Sequence, residues 1–316
     1  MVLWISACAA LLLTGLSAAA DEQPGYTRER DVIYGRRYGL ALTMDVLRPA
    51  SPNGAGVICV ISGGWFSSHE AISPEILRPF LSRGFTVFAV VHGSQPRFTI
   101  PEAIEDVRRS VRFVRANAAA YGVDPERLGI TGASAGGHLA LTVALSAAPG
   151  DPAAKDPVER LPSRVAAVAA LFPPTDFLNY GREGRDVFQA LSEELKPFMA
   201  PFEFVRTDPA SGRLIPVTDP QQRLEIARQI SPVTHVSAGD PPVLLIHGDR
   251  DELVPLQQSK RLEEALRASG VPVELIVREG KGHGWEGLDR DVTLMADYFQ
   301  RHLVAGKAEK DGAPSS

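Results

Sequence analysis

Cysteine is almost absent. The 316 residues include two, Cys8 and Cys59, and with the first 20 residues set aside only Cys59 remains. No internal disulfide can then staple the rest of the chain. Cys59 sits inside the apolar run VICVI, where a buried core thiol is the ordinary reading. Runs of one charge are also missing. The 33 Lys and Arg and 38 Asp and Glu are scattered, for a net charge of −5, which leaves no footprint for nucleic acid or an anionic membrane. There are no internal repeats, and no histidines and acids at metal-ligand spacing, so a metal hydrolase falls away.

Long apolar stretches are scarce, with one exception. Residues 2–20 read VLWISACAALLLTGLSAAA, carry no charge, and end in Ala18-Ala19-Ala20 just before Asp21 and Glu22. Small residues at the −3 and −1 positions fit a secretory signal removed after Ala20. Thr14, Gly15 and Ser17 interrupt the stretch, which is barely long enough for a membrane anchor. The expectation is a secreted or periplasmic mature chain with no stable membrane insertion.

The remaining chain is rich in short apolar runs. Those at 56–61, 86–91, 127–131, 165–171, 242–247 and 273–278 have strand length and the continuous character of strands covered on both faces. Helical patterns lie between them at 74–83, 101–121, 135–147, 255–269 and 291–303. The helix from Pro101 has proline and acids first and arginines later, which complements its dipole. Strand-helix alternation predicts an α/β fold, a mostly parallel doubly wound sheet with helices on both faces. Runs at 32–34 and 42–47 suggest an antiparallel edge. Between Asp176 and Pro241 the rhythm stops, while aromatics accumulate (Phe177, Tyr180, Phe188, Phe198, Phe202, Phe204). So long an interruption suggests a cap rather than a plain loop. The expected organisation is one domain over 21–306, a cap insertion at 177–240, and a disordered polar tail at 307–316.

The strongest chemical signal is LGITGASAGGHLALTVAL. Gly132-Ala133-Ser134-Ala135-Gly136 is a G-x-S-x-G motif between an apparent strand and an apparent helix, the context such a motif needs. Ser134 then stands at a helix N-terminus, where the dipole favours developing negative charge. A serine hydroxyl needs a base, and the base an orienting acid. PPVLLIHGD runs into Arg250 and Asp251, and VPVELIVRE runs into Gly280-Lys281-Gly282-His283-Gly284-Trp285. Both candidates lie just past strand ends, where open α/β sheets place their sites. His92, His138, His247 and His302 fall in strands or helices and read as structural, whereas glycines flank His283. Asp251 is the preferred acid. Asp249 reads as a brace for the turn, and Asp176 is a more distant alternative.

Acyl transfer also needs donors for an oxyanion. VICVISGGWF places Ser62-Gly63-Gly64-Trp65 after a strand, and the Ala135 N–H follows the nucleophile. GASAGGHLA, HGDRDELVP, GKGHGW and the SGGW loop together resemble the α/β-hydrolase esterases, especially the feruloyl/acetyl-esterase-like and hormone-sensitive-lipase-like branches, over roughly residues 43–303. That resemblance implies Ser134, Asp251 and His283 as a triad, and oxyanion donors near Gly64 and Ala135. It implies no cofactor or metal, and a small-molecule ester as substrate, with small or carbohydrate-linked acyl groups. The chain departs from those families in one place. They carry His-Gly-Gly-Gly before the oxyanion turn, and here Ile61-Ser62-Gly63-Gly64-Trp65 leaves Gly63 or Trp65 as the donor beside Gly64. SAGGHLA also looks like arylformamidases, which keeps amide or formamide cleavage as an alternative. The peptidases with such a triad carry an N-terminal propeller for which this chain has no room. A catalytically silent binding module sits poorly with an intact Ser, Asp and His.

Overall fold

The computed structural model describes residues 21–305 apart from 24, 96 and 194. The expected signal sequence at 1–20 and the expected tail at 307–316 lie outside the described residues.

One nine-stranded sheet organises the chain. Along one edge β1 (Asp21–Gln23), β2 (Tyr26–Arg37) and β3 (Leu40–Pro49) pair antiparallel, and β3 pairs antiparallel with β5 (Thr86–Val91). From β5 onward every pairing is parallel. The order continues through β4 (Gly56–Ile61), β6 (Leu128–Ala133), β7 (Ala167–Leu171), β10 (Val243–Gly248) and β11 (Val273–Arg278). Hydrophobic burial on both faces explains why the five inner strands read as apolar runs, while the edge strand β11 is only partly buried.

Alternation along each strand divides the core in two. On one face Val57, Val87, Ala169 and Ile246 pack under α1 (Pro74–Leu81) and α7 (Leu288–Phe299), which contribute Leu77, Phe80, Met295 and Phe299. On the other, Ile58, Val60, Ile130 and Leu245 pack under α2 (Ile100–Ala116), α3 (Ala135–Leu145) and α6 (Gln257–Ala268), through Val107, Val111, Leu139, Leu262 and Leu266. Each Val, Leu, Ile, Met or Phe among them contributes about 1.5–3 kcal/mol of hydrophobic burial, and Ala169 less. A capping box starts α2, with the Thr99 N–H donating to the Glu102 carboxylate at 2.8 Å. Every residue of α3 is buried, since it lies between the sheet and the segment that follows β7.

The expected antiparallel edge is present but much longer than its apolar runs, which are only the middles of β2 and β3. Register shifts between Glu29 and Val32 and between Ile33 and Gly35 break the alternation, and charged residues occupy the outer face. The expected helix at 101–121 ends at Ala116, after which a 3-10 turn closes on Gly122 at φ +65°.

Residues 177–240 form α4 (Val187–Glu193), a separate hairpin of β8 (Val205–Thr207) and β9 (Leu214–Pro216), and α5 (Pro220–Gln229). None of these joins the central sheet. Phe177, Phe188, Phe202 and Phe204 meet edge to face, with ring centroids 5.4 to 6.3 Å apart. Among the described residues no helix is long and apolar enough to cross a membrane.

Candidate active site

Strand β6 turns into α3 at Ser134, whose φ of +51° and ψ of −121° lie outside the regions that L-residues favour. The neighbouring glycines make this turn possible. A Cβ at Gly132 would sit 2.4 Å from the Gly136 carbonyl carbon, and one at Gly136 would sit 2.5 Å from the Val60 carbonyl oxygen. The Ser134 N–H donates to Leu171 O at 2.8 Å, fixing the turn to the end of β7.

Beyond β10 the chain packs tightly on the loop after β11. A Cβ at Gly248 would lie 2.2 Å from Lys281 O, and the Arg250 N–H donates to that same oxygen at 2.9 Å. Asp249 accepts from the Gly280 N–H at 2.6 Å, so it braces the turn. Asp251 points into the site. Its Oδ1 accepts from the N–H groups of Leu253 and Val254 at 3.0 and 2.8 Å, and its Oδ2 faces His283 Nδ1 at 2.7 Å. Burial alone raises the Asp251 carboxyl, but hydrogen bonds from His247, His283 and the Val254 N–H outweigh it and hold the group down at about 2. Asp176 is bonded elsewhere, to Arg261 Nε at 2.7 Å.

The other nitrogen of His283, Nε2, lies 2.9 Å from Ser134 Oγ. A carboxylate at Nδ1 fixes the proton there, which leaves the Nε2 lone pair to accept from the serine hydroxyl. The ring is stacked edge to face by Phe172, centroids 4.6 Å apart, and Phe172 in turn touches Trp285. Phe172 has φ +38°, a conformation that no sequence signal marked. The remaining histidines read as structural are placed as follows. His247 is buried against Val254 O and Ser259 Oγ at 2.8 and 2.7 Å, and His92 bonds Ser62 Oγ at 2.8 Å. His138 accepts from Trp65 Nε1 at 2.9 Å and donates to Ile230 O at 2.7 Å. His302 lies in the turn of 300–305.

After β4, Gly63 and Phe66 exchange two backbone hydrogen bonds of 2.9 Å. The central residues Gly64 and Trp65 have φ of +55° and +59°, the positive pair that a type I′ turn requires. This turn bears on the register that the sequence left open. The Gly63 N–H is consumed by Phe66 O, whereas among the described residues the N–H groups of Gly64, Trp65 and Ala135 have no acceptor.

A cavity of about 310 Å³ opens beside these groups. Ser134, His283, Gly64, Trp65, Phe177, Leu191, Phe198 and Phe202 are among the residues that line it. Phe188 and Phe204 pack behind Phe202 and do not line it. Folding also brings together Asp31, Asp45 and His69, whose ligand-type atoms lie within 4.8 Å of one another. Asp45 is already paired with Arg28 at 2.6 Å, and none of the three lines the cavity.

Comparison with known proteins bears on the fold and the family. Residues 44–266 match the BD-FAE family model, and residues 220–314 match that of TAP-like proteins. The Mycobacterium tuberculosis protein named "Probable carboxylic ester hydrolase LipM" is 31% identical over 249 residues, 77% of this chain and 52% of the relative. Esterase LipC of the same organism is 28% identical over 271 residues, 84% of this chain and 61% of the relative. The chain thus spans about half the length of the curated relatives it matches. A truncated carbohydrate esterase from gut microbiota superposes with a TM-score of 0.71 at 25% identity, covering 90% of this chain and 99% of that one. The sheet order, the elbow and the family match converge: the fold is that of the α/β-hydrolases, and the chain belongs to the BD-FAE family.

Proposed function

We propose that the protein is a serine hydrolase that cleaves carboxylic esters of small molecules through an acyl-enzyme. The observation that carries this reading is the unbroken hydrogen-bonded chain from Ser134 Oγ through His283 to Asp251, at 2.9 and 2.7 Å, at the wall of an apolar cavity. The named activities of LipM and LipC support it.

In this reading Ser134 Oγ attacks the ester carbonyl while His283 Nε2 takes its proton. Asp251, held ionised, stabilises the imidazolium and fixes its tautomer. Negative charge develops on the carbonyl oxygen and is met by the unengaged N–H groups of Gly64, Trp65 and Ala135. Collapse expels the alcohol with the proton from His283. Water then attacks the acyl-enzyme by the same route, releasing the acid and restoring Ser134. Residues 177–240 act as a cap, because Phe177, Leu191, Phe198 and Phe202 supply the cavity wall that the sheet does not.

A fluorophosphonate probe tests the assignment directly. The wild type is expected to label at Ser134, and Ser134→Ala to lose both the label and ester turnover by a factor of about 10³ or more, with its melting temperature unchanged. A folded Ser134→Ala protein that keeps more than about a tenth of the activity would remove Ser134 from the nucleophile role.

A further inference from the structure

The cavity beside Ser134 is uniform in its chemistry. Its volume of about 310 Å³ is roughly twice that of an apolar cavity that takes one benzene-sized guest. No Asp, Glu, Lys, Arg, Asn or Gln lines it. The few polar side-chain atoms on the wall are already engaged. The Tyr180 hydroxyl donates to Leu253 O at 2.8 Å, Trp65 Nε1 donates to His138 at 2.9 Å, and His283 is bonded on both nitrogens. Away from the unengaged N–H groups of Gly64 and Trp65, a hydroxyl carried into this space loses its water and finds no unengaged side-chain partner, a penalty of roughly five- to a hundredfold per group. A sugar ring, with several hydroxyls, multiplies that penalty.

The two halves of an ester also have different routes. The acyl half stays bonded to Ser134 through both steps. The alcohol must depart, and a water must take its place beside His283 before the second attack. An alcohol held in the cavity would obstruct that exchange, whereas an acyl chain there would not.

We propose that the cavity receives the acyl half, and that this acyl group is an unsubstituted hydrocarbon chain or ring of about six to ten carbons, with the alcohol half left outside. The inference rests on the assignment of Ser134 as nucleophile. The step is the hydrolysis already written. The Ser134 Oγ to carbonyl-carbon bond forms, the carbonyl-carbon to alkoxy-oxygen bond breaks, and the serine proton leaves with the alcohol.

A series of p-nitrophenyl esters from acetate to dodecanoate tests it on the whole protein. kcat/KM is expected to climb about fourfold per methylene as each is buried, to peak at about six to ten carbons, and then to fall. A 6-hydroxyhexanoate ester is expected to lag the heptanoate ester, its near isostere, by roughly five- to a hundredfold. Leu191→Trp, which narrows the wall, is expected to move the peak toward shorter chains. Leu195→Phe serves as a second narrowing variant if the first does not fold. Acetate as the best substrate, or equal rates for the hydroxylated and alkyl esters, overturns the proposal. That failure is separable from failure of the nucleophile assignment. With Ser134→Ala inactive, an acetate optimum refutes only the acyl class. With Ser134→Ala still active, the assignment itself falls.

Discussion

At the elbow, Ser134 takes φ +51° because the chain around it leaves no other course. Gly136 is pressed against Val60 O, and Gly132 against the backbone of Gly136, so the constraint is backbone on backbone within a few residues. At the oxyanion turn, Gly64 and Trp65 take φ +55° and +59° with far more room. A Cβ on Gly63 would meet nothing within 4 Å, and one on Gly64 only the Phe198 ring. Side chains from distant positions hold this turn instead. Ser62 is bonded to His92 at 2.8 Å, Ser67 Oγ donates to Ile61 O at 2.5 Å and accepts from the His92 N–H at 3.2 Å, and Trp65 is tied to His138 at 2.9 Å. His138 reaches on to Ile230 O, close after α5. Both turns carry left-handed backbone to one cavity, but the elbow is locked by sterics and the oxyanion turn by hydrogen bonds that substitution can adjust one at a time.

Gly136→Ala is the harshest test of that difference. The added methyl would sit 2.5 Å from a main-chain oxygen in the middle of a parallel sheet, and neither side can yield. A stability loss of about 3 kcal/mol or more is expected, at the upper end of overpacking, together with loss of turnover. Gly63→Ala, with open space around it, should stay close to wild type in thermal melting. A stable, active Gly136→Ala protein would show that the elbow is no more constrained than its neighbour.

His138→Leu probes the adjustable turn. It removes the acceptor of Trp65 Nε1 and frees a bulky residue from a conformation it does not favour. Misplacing an oxyanion donor lowers kcat by up to about 10²–10³. His138 acts only through Trp65, so a fall in kcat of about tenfold is expected, with KM within about twofold. Trp65→Phe should lose a similar factor, and the double variant little more, since both cut the same bond. Additive losses, or a fall in melting temperature with kcat intact, would reduce His138 to packing.

This contrast also explains what the sequence disclosed. Ser134, Asp251 and His283 were legible because each stands at a strand end amid local chemistry: a G-x-S-x-G, an acid after HGD, a histidine between glycines. The parallel strands were legible from their short apolar runs, five of them buried on both faces and β11 at the edge. The oxyanion register was not, because whether Gly63 or Trp65 is free depends on Phe66 O closing the turn. His138 reads as a packed helical residue, and its bond to a tryptophan 73 positions earlier leaves no local trace. Phe172 at φ +38° is a tertiary strain that propensity cannot foresee. The lengths of β2 and β3 were hidden by bulges, and α4, α5 and the β8–β9 hairpin are too short for periodicity to mark.

Acid should separate the two turns more gently. His92 and His138 both hold the oxyanion turn, and burial pushes both down to about 4, against hydrogen bonds to Gly93 O and Ile230 O that act the other way. In the unfolded chain each titrates near 6.5. Between those values the unfolded state binds more protons than the folded one, so stability is full above about pH 6.5 and falls as pH drops toward 4. At about pH 5.5 the loss is about 1 kcal/mol for each histidine. Asp251, depressed to about 2, adds its loss only at lower pH, below the ordinary carboxylate range. No titratable side chain takes part in the Gly132, Gly136 and Val60 contacts of the elbow. Buried Asp106, raised to about 6, acts the other way over the same range. Melting curves from pH 7 to 4.5 should therefore slope downward in the wild type less steeply than the histidines alone would give, and flatten by about half or more in His92→Gln and in His138→Gln. Parallel curves for wild type and both variants would show that these two histidines do not set the acid limit of the fold.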